Sequence, residues 1–165
     1  MRSCDPRVQR LTLKQHTNDS SDLDTILTLV KQSFSFMEGR IDPPSSVNRL
    51  DIEGISDHCN SGEVWTFGVP IVACLFLKPK DDALYLGRLA VTENERGKGI
   101  GRKLIEHAEI RAGVHDKHFL ELFTRIELTE NHRLFAQYGF EKTDEVAHAG
   151  FARPTYIIMR KALTR

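Results

Sequence analysis

The chain has 165 residues, and its 23 Lys and Arg residues balance 23 Asp and Glu residues, so the formal net charge is zero. This balance argues against a partner held by bulk charge, such as nucleic acid or an anionic membrane. Hydrophobic residues make up 40% of the chain and charged residues 28%. Such a composition is typical of a folded protein, and the length predicts one domain over residues 1–165.

The sequence shows no targeting, membrane or metal signal. Its longest apolar run, at residues 69–77, contains a proline and is too short to span a bilayer. The first 20 residues lack an apolar signal-peptide core, so we expect a cytoplasmic protein. Three cysteines without CxxC spacing and seven scattered histidines argue against a disulfide framework or a bound metal.

Hydrophobic periodicity and turn residues predict the elements in chain order. They are a strand over 8–13, a helix through 23–34, a weaker helix around 47–55, strands over 63–67, 70–78 and 83–91, a helix through 101–112, a strand over 118–126, a short helix over 129–138, and strands over 141–146 and 155–161. The order βααβββαβαββ predicts an α/β protein with one mixed sheet and helices on both faces.

A glycine-rich loop, RGKGIG at residues 96–101, follows the fourth predicted strand and opens a helix. Its alternate glycines let the backbone approach a ligand closely, because no Cβ occupies the space. The first N–H groups of a helix lack intrahelical partners, and the helix dipole adds partial positive charge there. Four cations lie within eight residues: Arg96, Lys98, Arg102 and Lys103. The loop therefore predicts a diphosphate site, and a solvated basic turn before a surface helix is the alternative.

Two familiar phosphate loops do not match this segment. A Walker A loop needs Lys and then Ser or Thr after its last glycine, whereas Arg102 and Lys103 follow here. The dinucleotide fingerprint GxGxxG does not fit glycines at 97, 99 and 101. Three consecutive strands before the loop also argue against a simple alternating nucleotide-binding fold.

Residues 86–108, LGRLAVTENERGKGIGRKLIEHA, resemble the acetyl-CoA-binding motif of the GNAT N-acetyltransferases, whose signature is Arg/Gln-x-x-Gly-x-Gly/Ala. Arg96, Gly99 and Gly101 occupy its three defining positions. The stretch ENHRLFAQYGFEKT at 130–143 is similar to the family's short helix ending in Gly-Phe, and RIDPPSSV (40–47) and HAGFARPTYIIMRKAL (148–163) are similar to a bacterial subgroup whose acceptors are mostly unassigned. The resemblance implies a GNAT-like acyl-CoA N-acyltransferase fold, with acetyl-CoA bound in a V-shaped cleft between the fourth and fifth strands.

The resemblance also implies the residues that bind acetyl-CoA. Leu89, Ala90 and Val91 would contact the pantetheine arm and thioester through their main chain, and an N–H there could hold the developing oxyanion. The amides of residues 96–101 would hold the pyrophosphate. The full implied set is Leu89, Ala90, Val91, Arg96, Gly97, Lys98, Gly99, Ile100, Gly101, Arg102, Asn131 and Phe135.

The catalytic acid is ambiguous in this sequence. Members of the family often protonate the leaving thiolate from a Tyr four residues before the Gly of Gly-Phe, a position that Phe135 holds here. Counting seven residues forward from Asn131 lands instead on Tyr138. The Gly-Phe anchor favours Phe135 in the tyrosine's place. With Phe135 in the tyrosine's place, the acid is displaced to another position or supplied by water. If the count from Asn131 applies instead, Tyr138 is the candidate acid.

The resemblance implies acetyl transfer from acetyl-CoA to a primary amine of a small molecule by direct attack. A non-catalytic acyl-CoA-binding module and a protein acetyltransferase acting on lysine or N-terminal amines are the alternatives. Tyr85, Glu121 and His148 are candidate bases, although a packing or surface role explains each. GNAT-like domains often pair, so a homodimer is possible. No nucleic acid, membrane or metal partner is expected.

Overall fold

The computed structural model describes residues 12–164. Within them, strands form one seven-stranded mixed sheet in the order β1-β2-β3-β4-β5-β7-β6. The strands are β1 (Leu13–His16), β2 (Glu63–Phe67), β3 (Ala73–Pro79), β4 (Ala83–Val91), β5 (Phe119–Arg125), β6 (Glu141–Val146) and β7 (Tyr156–Ala162), and the helices are α1 (Leu23–Phe34), α2 (Ile52–Ser61), α3 (Ile100–Val114) and α4 (Thr129–Gln137). The predicted element order and the mixed α/β class are confirmed.

Several boundaries differ from the sequence-based expectation. The third strand begins at Ala73 and not at residue 70, because residues 68–71 form a turn. The first strand continues to His16, because its residues 13–16 pair antiparallel with residues 64–67 of β2; positions 8–11 of the predicted strand lie outside the described residues. The weaker second helix is two pieces, a 3-10 turn over Ser46–Arg49 and then α2. The side chain of Asp51 accepts a hydrogen bond from the amide of Gly54 (2.8 Å) and so starts a new helix.

Two hydrophobic cores form on opposite faces of the sheet. Alternate residues of β3 face opposite ways, so Leu75 packs in a core with α3 while Phe76 packs in a core with α1 and α2. Five consecutive residues of β3, 73–77, are completely buried. The sheet is therefore a central layer between helices. Among the described residues, none of those helices combines the length and apolar character that crossing a membrane requires.

Candidate active site

A cleft opens where β4 and β5 separate. These parallel strands pair only over Ala83–Tyr85 and Phe119–Glu121. Beyond those pairs β4 runs on to Val91 beside β3, and β5 runs on to Arg125 beside β7. The facing backbone edges of the two strands are thus left without strand partners over their second halves. Such edges can hydrogen-bond an extended ligand lying between them.

A β-bulge at Gly87 marks the point of separation. In the β3–β4 pairing, Phe76 faces Arg88 and Leu77 faces Leu86, which leaves Gly87 as the extra residue. An added Cβ at Gly87 would lie 3.3 Å from the ring of Tyr85. Bulges re-aim a strand and are frequent beside functional sites. Gly87 was not among the predicted site residues, although a single glycine inside a strand pattern is a signal for a bulge.

The first cavity, of about 440 Å³, lies between the end of β4, the glycine loop, the start of α3 and helix α4. Its lining includes most of the residues that the resemblance implied. These are Leu89, Ala90, Val91, Arg96, Gly97, Gly99, Ile100, Gly101, Asn131, Phe135 and Tyr138. Residues from four separate elements therefore meet around one cavity.

The glycine loop has the conformation that its sequence indicates. Gly97 and Gly99 have φ angles of +78° and +82°, in the left-handed region that favours glycine, and a Cβ at either would meet open space. Within residues 12–164, the amides of residues 97–102 have no hydrogen-bond partner in the protein. The amide of Arg96 differs, since it donates to the carbonyl oxygen of Glu93 (3.3 Å). The loop thus presents a run of free N–H groups beside open space, which fits a diphosphate.

The basic side chains of the loop contribute less positive charge to the first cavity than their number suggests. Lys98 donates to Glu95 (3.1 Å), and the guanidinium of Arg102 lies over the ring of Tyr138, 5.5 Å from its centroid. Neither Lys98 nor Arg102 lines the cavity. The Nε of Arg96 donates to the carbonyl oxygen of Val91 (3.1 Å) and so braces the loop against the end of β4. The anion-binding character of this site therefore depends mainly on backbone amides.

Helix α4 ends in a Schellman motif that fixes the side chains of its last turn. Gly139, at φ +95°, donates to Ala136, and Phe140 donates to Phe135 (both 3.0 Å). The rings of Phe135 and Phe140 meet edge to face with centroids 5.8 Å apart. Tyr138 lies toward the loop, where a Cβ on Gly101 would come within 3.5 Å of its hydroxyl. Phe135 and Tyr138 are thus both partly buried against the core, and Tyr138 also lies beside the start of α3.

A second and larger cavity, of about 960 Å³, lies on the other side of the cleft. Five residues line both cavities: Phe34, Gly87, Phe123, Thr124 and Asn131. The two cavities therefore meet where β4 and β5 separate. A ligand in the first cavity can reach a ligand in the second at this junction.

The second cavity is cationic. Among the described residues, the lysine and arginine side chains that line it are Arg49, Lys78, Arg88 and Arg125, and no Asp or Glu does so. Arg125 donates to the carbonyl oxygen of Pro44 (3.1 Å). Thr124 is 6% exposed, and its hydroxyl has no hydrogen-bond partner within the described part of the chain. This site has the polarity of one that binds an anion.

Two histidines of the second cavity are biased toward the neutral form. Burial lowers the pKa of His58, as do the neighbouring charges of Arg88 and Lys78, although its bond to the carbonyl oxygen of Leu77 acts in the opposite direction. That bond (2.9 Å) assigns the proton to Nε2 and leaves Nδ1 as an acceptor. Burial, and then Arg125, also lower the pKa of His148. Sequence reasoning named His148 but missed His58.

The other two candidate bases are unsuited to accept a proton. Burial would raise the pKa of Glu121, but hydrogen bonds from Lys80 (2.8 Å) and Arg160 (2.9 Å) outweigh it and lower that pKa. Burial raises the pKa of Tyr85 to about 12. Glu121 is thus held in structural ion pairs, and Tyr85 stays protonated near neutral pH.

Both a sequence model of a protein family and a known protein match this chain. A sequence model described as "Acetyltransferase (GNAT) domain" matches residues 60–142, half of the chain. A mycothiol acetyltransferase from Jonesia denitrificans is 29% identical over 140 residues, which are 82% of this chain and 44% of that relative. The chain thus spans less than half of that relative's length.

Solved structures share the fold. One is a GNAT family acetyltransferase from Elizabethkingia anophelis with acetyl-CoA bound, with a TM-score of 0.66 and 21% identity over 93% of this chain and 98% of the other. Another is the PaiA N-acetyltransferase from Thermoplasma acidophilum in complex with coenzyme A, with a TM-score of 0.73 and 14% identity over 92% and 99%. At these identities the likeness is one of fold.

Proposed function

We propose that this chain, which belongs to the GNAT family of acetyltransferases, transfers an acetyl group from acetyl-CoA to the primary amine of a small molecule. When bound, acetyl-CoA supplies the acetyl group: the amine nitrogen bonds to the thioester carbonyl carbon, the C–S bond breaks, and a proton passes from the amine to the departing thiolate. The observation that carries the proposal is the meeting of two cavities at the cleft between β4 and β5.

The first cavity is proposed to hold acetyl-CoA. The free amides of residues 97–102 would bind the diphosphate, because they are unpaired within the described chain and stand beside open space at Gly97 and Gly99. The main chain of Leu89, Ala90 and Val91 would contact the pantetheine arm, since β5 no longer pairs with β4 there. Lys98 and Arg102 would act only through long-range charge.

At the junction, the proposed roles are those of positioning and proton transfer. Asn131 lines both cavities, so its amide would orient the thioester or the amine, while Phe135 would form an apolar wall. Tyr138 is the candidate acid for the thiolate, yet it lies against Gly101 at the loop end. We therefore assign most of that protonation to water, which suffices because a thiol of pKa ~8.5 is a fair leaving group.

The cationic second cavity favours the reactive form of the acceptor. An amine must be neutral to attack, and nearby positive charges lower the pKa of a bound ammonium group. The imidazoles of His58 and His148 line the same cavity and are biased toward the neutral form. Either could receive the amine proton through water. No carboxylate base is required.

The direct test is an assay of thiol release from acetyl-CoA with a panel of small amines. We expect release above the rate without protein for at least one amine, with one acetylated amine formed per thiol. Thermal stabilisation by acetyl-CoA without thiol release for any amine would contradict the proposal and favour a non-catalytic acyl-CoA-binding module. Release only with peptides that carry a lysine or a free N-terminus would favour a protein acetyltransferase.

The acceptor class, the extent of the domain, the cellular location and the oligomeric state belong to the same proposal. The mycothiol acetyltransferase relative is compatible with a small-molecule acceptor, but its acceptor is not assigned to this chain, which spans less than half of it. One domain over residues 1–165 is supported by the cores on both faces of a single sheet. The cytoplasmic location and a homodimer stay predictions.

A further inference from the structure

Arg88 is a half-buried cation, and within residues 12–164 it has no counter-ion. Its guanidinium lies over the ring of Phe76, 5.6 Å from the centroid, and its Nε is shielded from solvent. No carboxylate or carbonyl oxygen is hydrogen-bonded to Arg88 within residues 12–164. The acidic groups that interact with it electrostatically are Tyr85 and Cys74. Burial raises the pKa of each, to about 12, so both stay uncharged near neutral pH.

The other cations of the second cavity differ from Arg88. Arg49 and Lys78 lie exposed at its edge. Arg125 interacts with Glu127 and Asp42, which also pair with Arg153 at 3.7 Å, so its charge is partly offset. Arg88 is thus the cation of this lining that is shielded from solvent at Nε and has no carboxylate partner within residues 12–164.

Charged side chains are rarely buried without a partner, because desolvation costs several kcal/mol per ion. Arg88 follows Gly87, which lies at the junction of the two cavities. The unbonded hydroxyl of Thr124 lies at the same junction and independently indicates a polar ligand there. Aromatic and aliphatic side chains line much of the rest, among them Phe34, Met37 and Phe151. The cavity therefore combines an anion site with apolar walls.

We propose that the acceptor is an amine that carries an anionic group, a carboxylate or a phosphate, and that the guanidinium of Arg88 binds that group in the second cavity. This inference rests on the proposed function. Arginine binds either anion through two parallel hydrogen bonds. The apolar walls favour a carboxylate on an apolar body, as in the larger α-amino acids. Binding the anion beside Gly87 would hold the amine close to the junction.

The experiment compares acceptors that differ only in this charge. Thiol release is followed with phenylalanine, leucine, methionine and glutamate, each against its α-carboxamide, and with O-phosphoethanolamine against ethanolamine. We expect at least one anionic member to exceed its neutral partner at least 10-fold in kcat/KM. A preference within the amino-acid pairs identifies a carboxylate, and one within the ethanolamine pair identifies a phosphate.

Variants assign the preference to Arg88. Arg88→Met should lower kcat/KM for the preferred anionic acceptor about 10²-fold, the effect of losing charge-assisted hydrogen bonds. Its neutral partner should change less than 3-fold. Arg88→Lys keeps the charge but not the two-pronged geometry, so we expect an intermediate loss. Arg133→Met, at an exposed arginine of α4 that lines neither cavity, is the control for total charge.

The outcomes separate this inference from the proposed function. Turnover without preference in any pair, or an equal loss for both members in Arg88→Met, would overturn the anionic acceptor and leave the acetyltransferase. If no amine is turned over, the proposed function fails. In that case, calorimetry in the presence of CoA compares the binding of N-acetylphenylalanine with that of its amide, and so tests Arg88 alone. Tighter binding of the acid, lost in Arg88→Met, supports an anion site at Arg88. Equal binding of acid and amide, or no binding, refutes that site.

Discussion

Two arginines of this protein lie over aromatic rings at almost the same distance, yet within residues 12–164 a counter-ion is present for only one of them. The guanidinium of Arg111 is 5.4 Å from the ring centroid of Trp65, and that of Arg88 is 5.6 Å from the ring centroid of Phe76. Arg111 forms two hydrogen bonds to Glu63, of 2.9 and 2.6 Å. These bonds raise the pKa of Arg111, whereas burial lowers the pKa of Arg88.

The difference separates a group that holds the fold from one that is free for a ligand. Glu63 is 4% exposed, and it also accepts hydrogen bonds from Trp65 (2.7 Å) and His115 (2.7 Å). The carboxylate therefore joins β2 to α3 with its bonding capacity filled. Arg88 has the same kind of surroundings without the carboxylate. Stability should depend on the first site and acceptor recognition on the second.

Removing the counter-ion at the paired site should have the largest effect on stability. Burial alone would raise the pKa of Glu63, but the bonds from Arg111, Trp65 and His115 lower it to about 2. We expect Glu63→Gln to lower the free energy of unfolding at pH 7 by about 3 kcal/mol, and the melting temperature by about 6–12 °C. The measurement is thermal unfolding, with kcat/KM at 25 °C unchanged.

The same site predicts how stability depends on pH. Because the pKa of Glu63 is lower in the folded protein than its ordinary value of 4.5, its contribution is complete above pH 4.5 and is lost as the pH falls from 4.5 to about 2. Unfolding curves of wild type and Glu63→Gln should converge over that range. Glu141→Gln, at an exposed position of β6, is the matched control and should follow the wild type. Parallel curves for wild type and Glu63→Gln would contradict this assignment.

At the unpaired site, a comparable change should leave stability intact. Replacing Arg88 by Met removes a half-buried charge and keeps apolar volume over Phe76. We therefore expect the free energy of unfolding of Arg88→Met to be unchanged or raised by about 1 kcal/mol. Denaturant unfolding measures it. A loss of more than about 2 kcal/mol would mean that Arg88 serves the fold as Arg111 does.

A third arginine, Arg102, lies over Tyr138 beside the glycine loop. Because the Tyr138 hydroxyl lies against the start of α3, we expect Tyr138→Phe to lower kcat less than 10-fold at unchanged acetyl-CoA affinity. Steady-state kinetics with calorimetry separates the two quantities. A fall of 10²-fold or more in kcat alone would make Tyr138 the catalytic acid.

The order of elements could be predicted from the sequence because it depends on local signals. Periodicity and turn residues identified helices and strands, and the Gly139-Phe140 pair identified the end of α4, which the Schellman motif confirms. The end of β1 was placed at residue 13 and not at His16, because alternation alone does not set a strand's extent and register, whereas pairing with β2 does.

The part of the site that consists of neighbouring residues in the sequence could be predicted, whereas contacts between residues far apart in the sequence could not. The loop residues lie together in the sequence and around one cavity. Lys98 was predicted to bind the cofactor, although its ammonium group forms an ion pair with the carboxylate of Glu95, three residues away. The sequence did not reveal that Arg111 is paired and Arg88 is not, because Glu63 and Arg111 are 48 residues apart and only the folded sheet brings them together.

The most direct test of the account is acetyl-CoA binding at the glycine loop. Gly99→Val would place a branched side chain in the space assigned to the diphosphate. Gly39→Val is the matched control, because Gly39 has a similar φ of +76°, open surroundings and no place in either cavity. Calorimetry should show affinity for acetyl-CoA at least 10²-fold weaker in Gly99→Val and unchanged in Gly39→Val, with similar losses of stability. Equal affinities in both variants and wild type would show that acetyl-CoA does not bind at this loop.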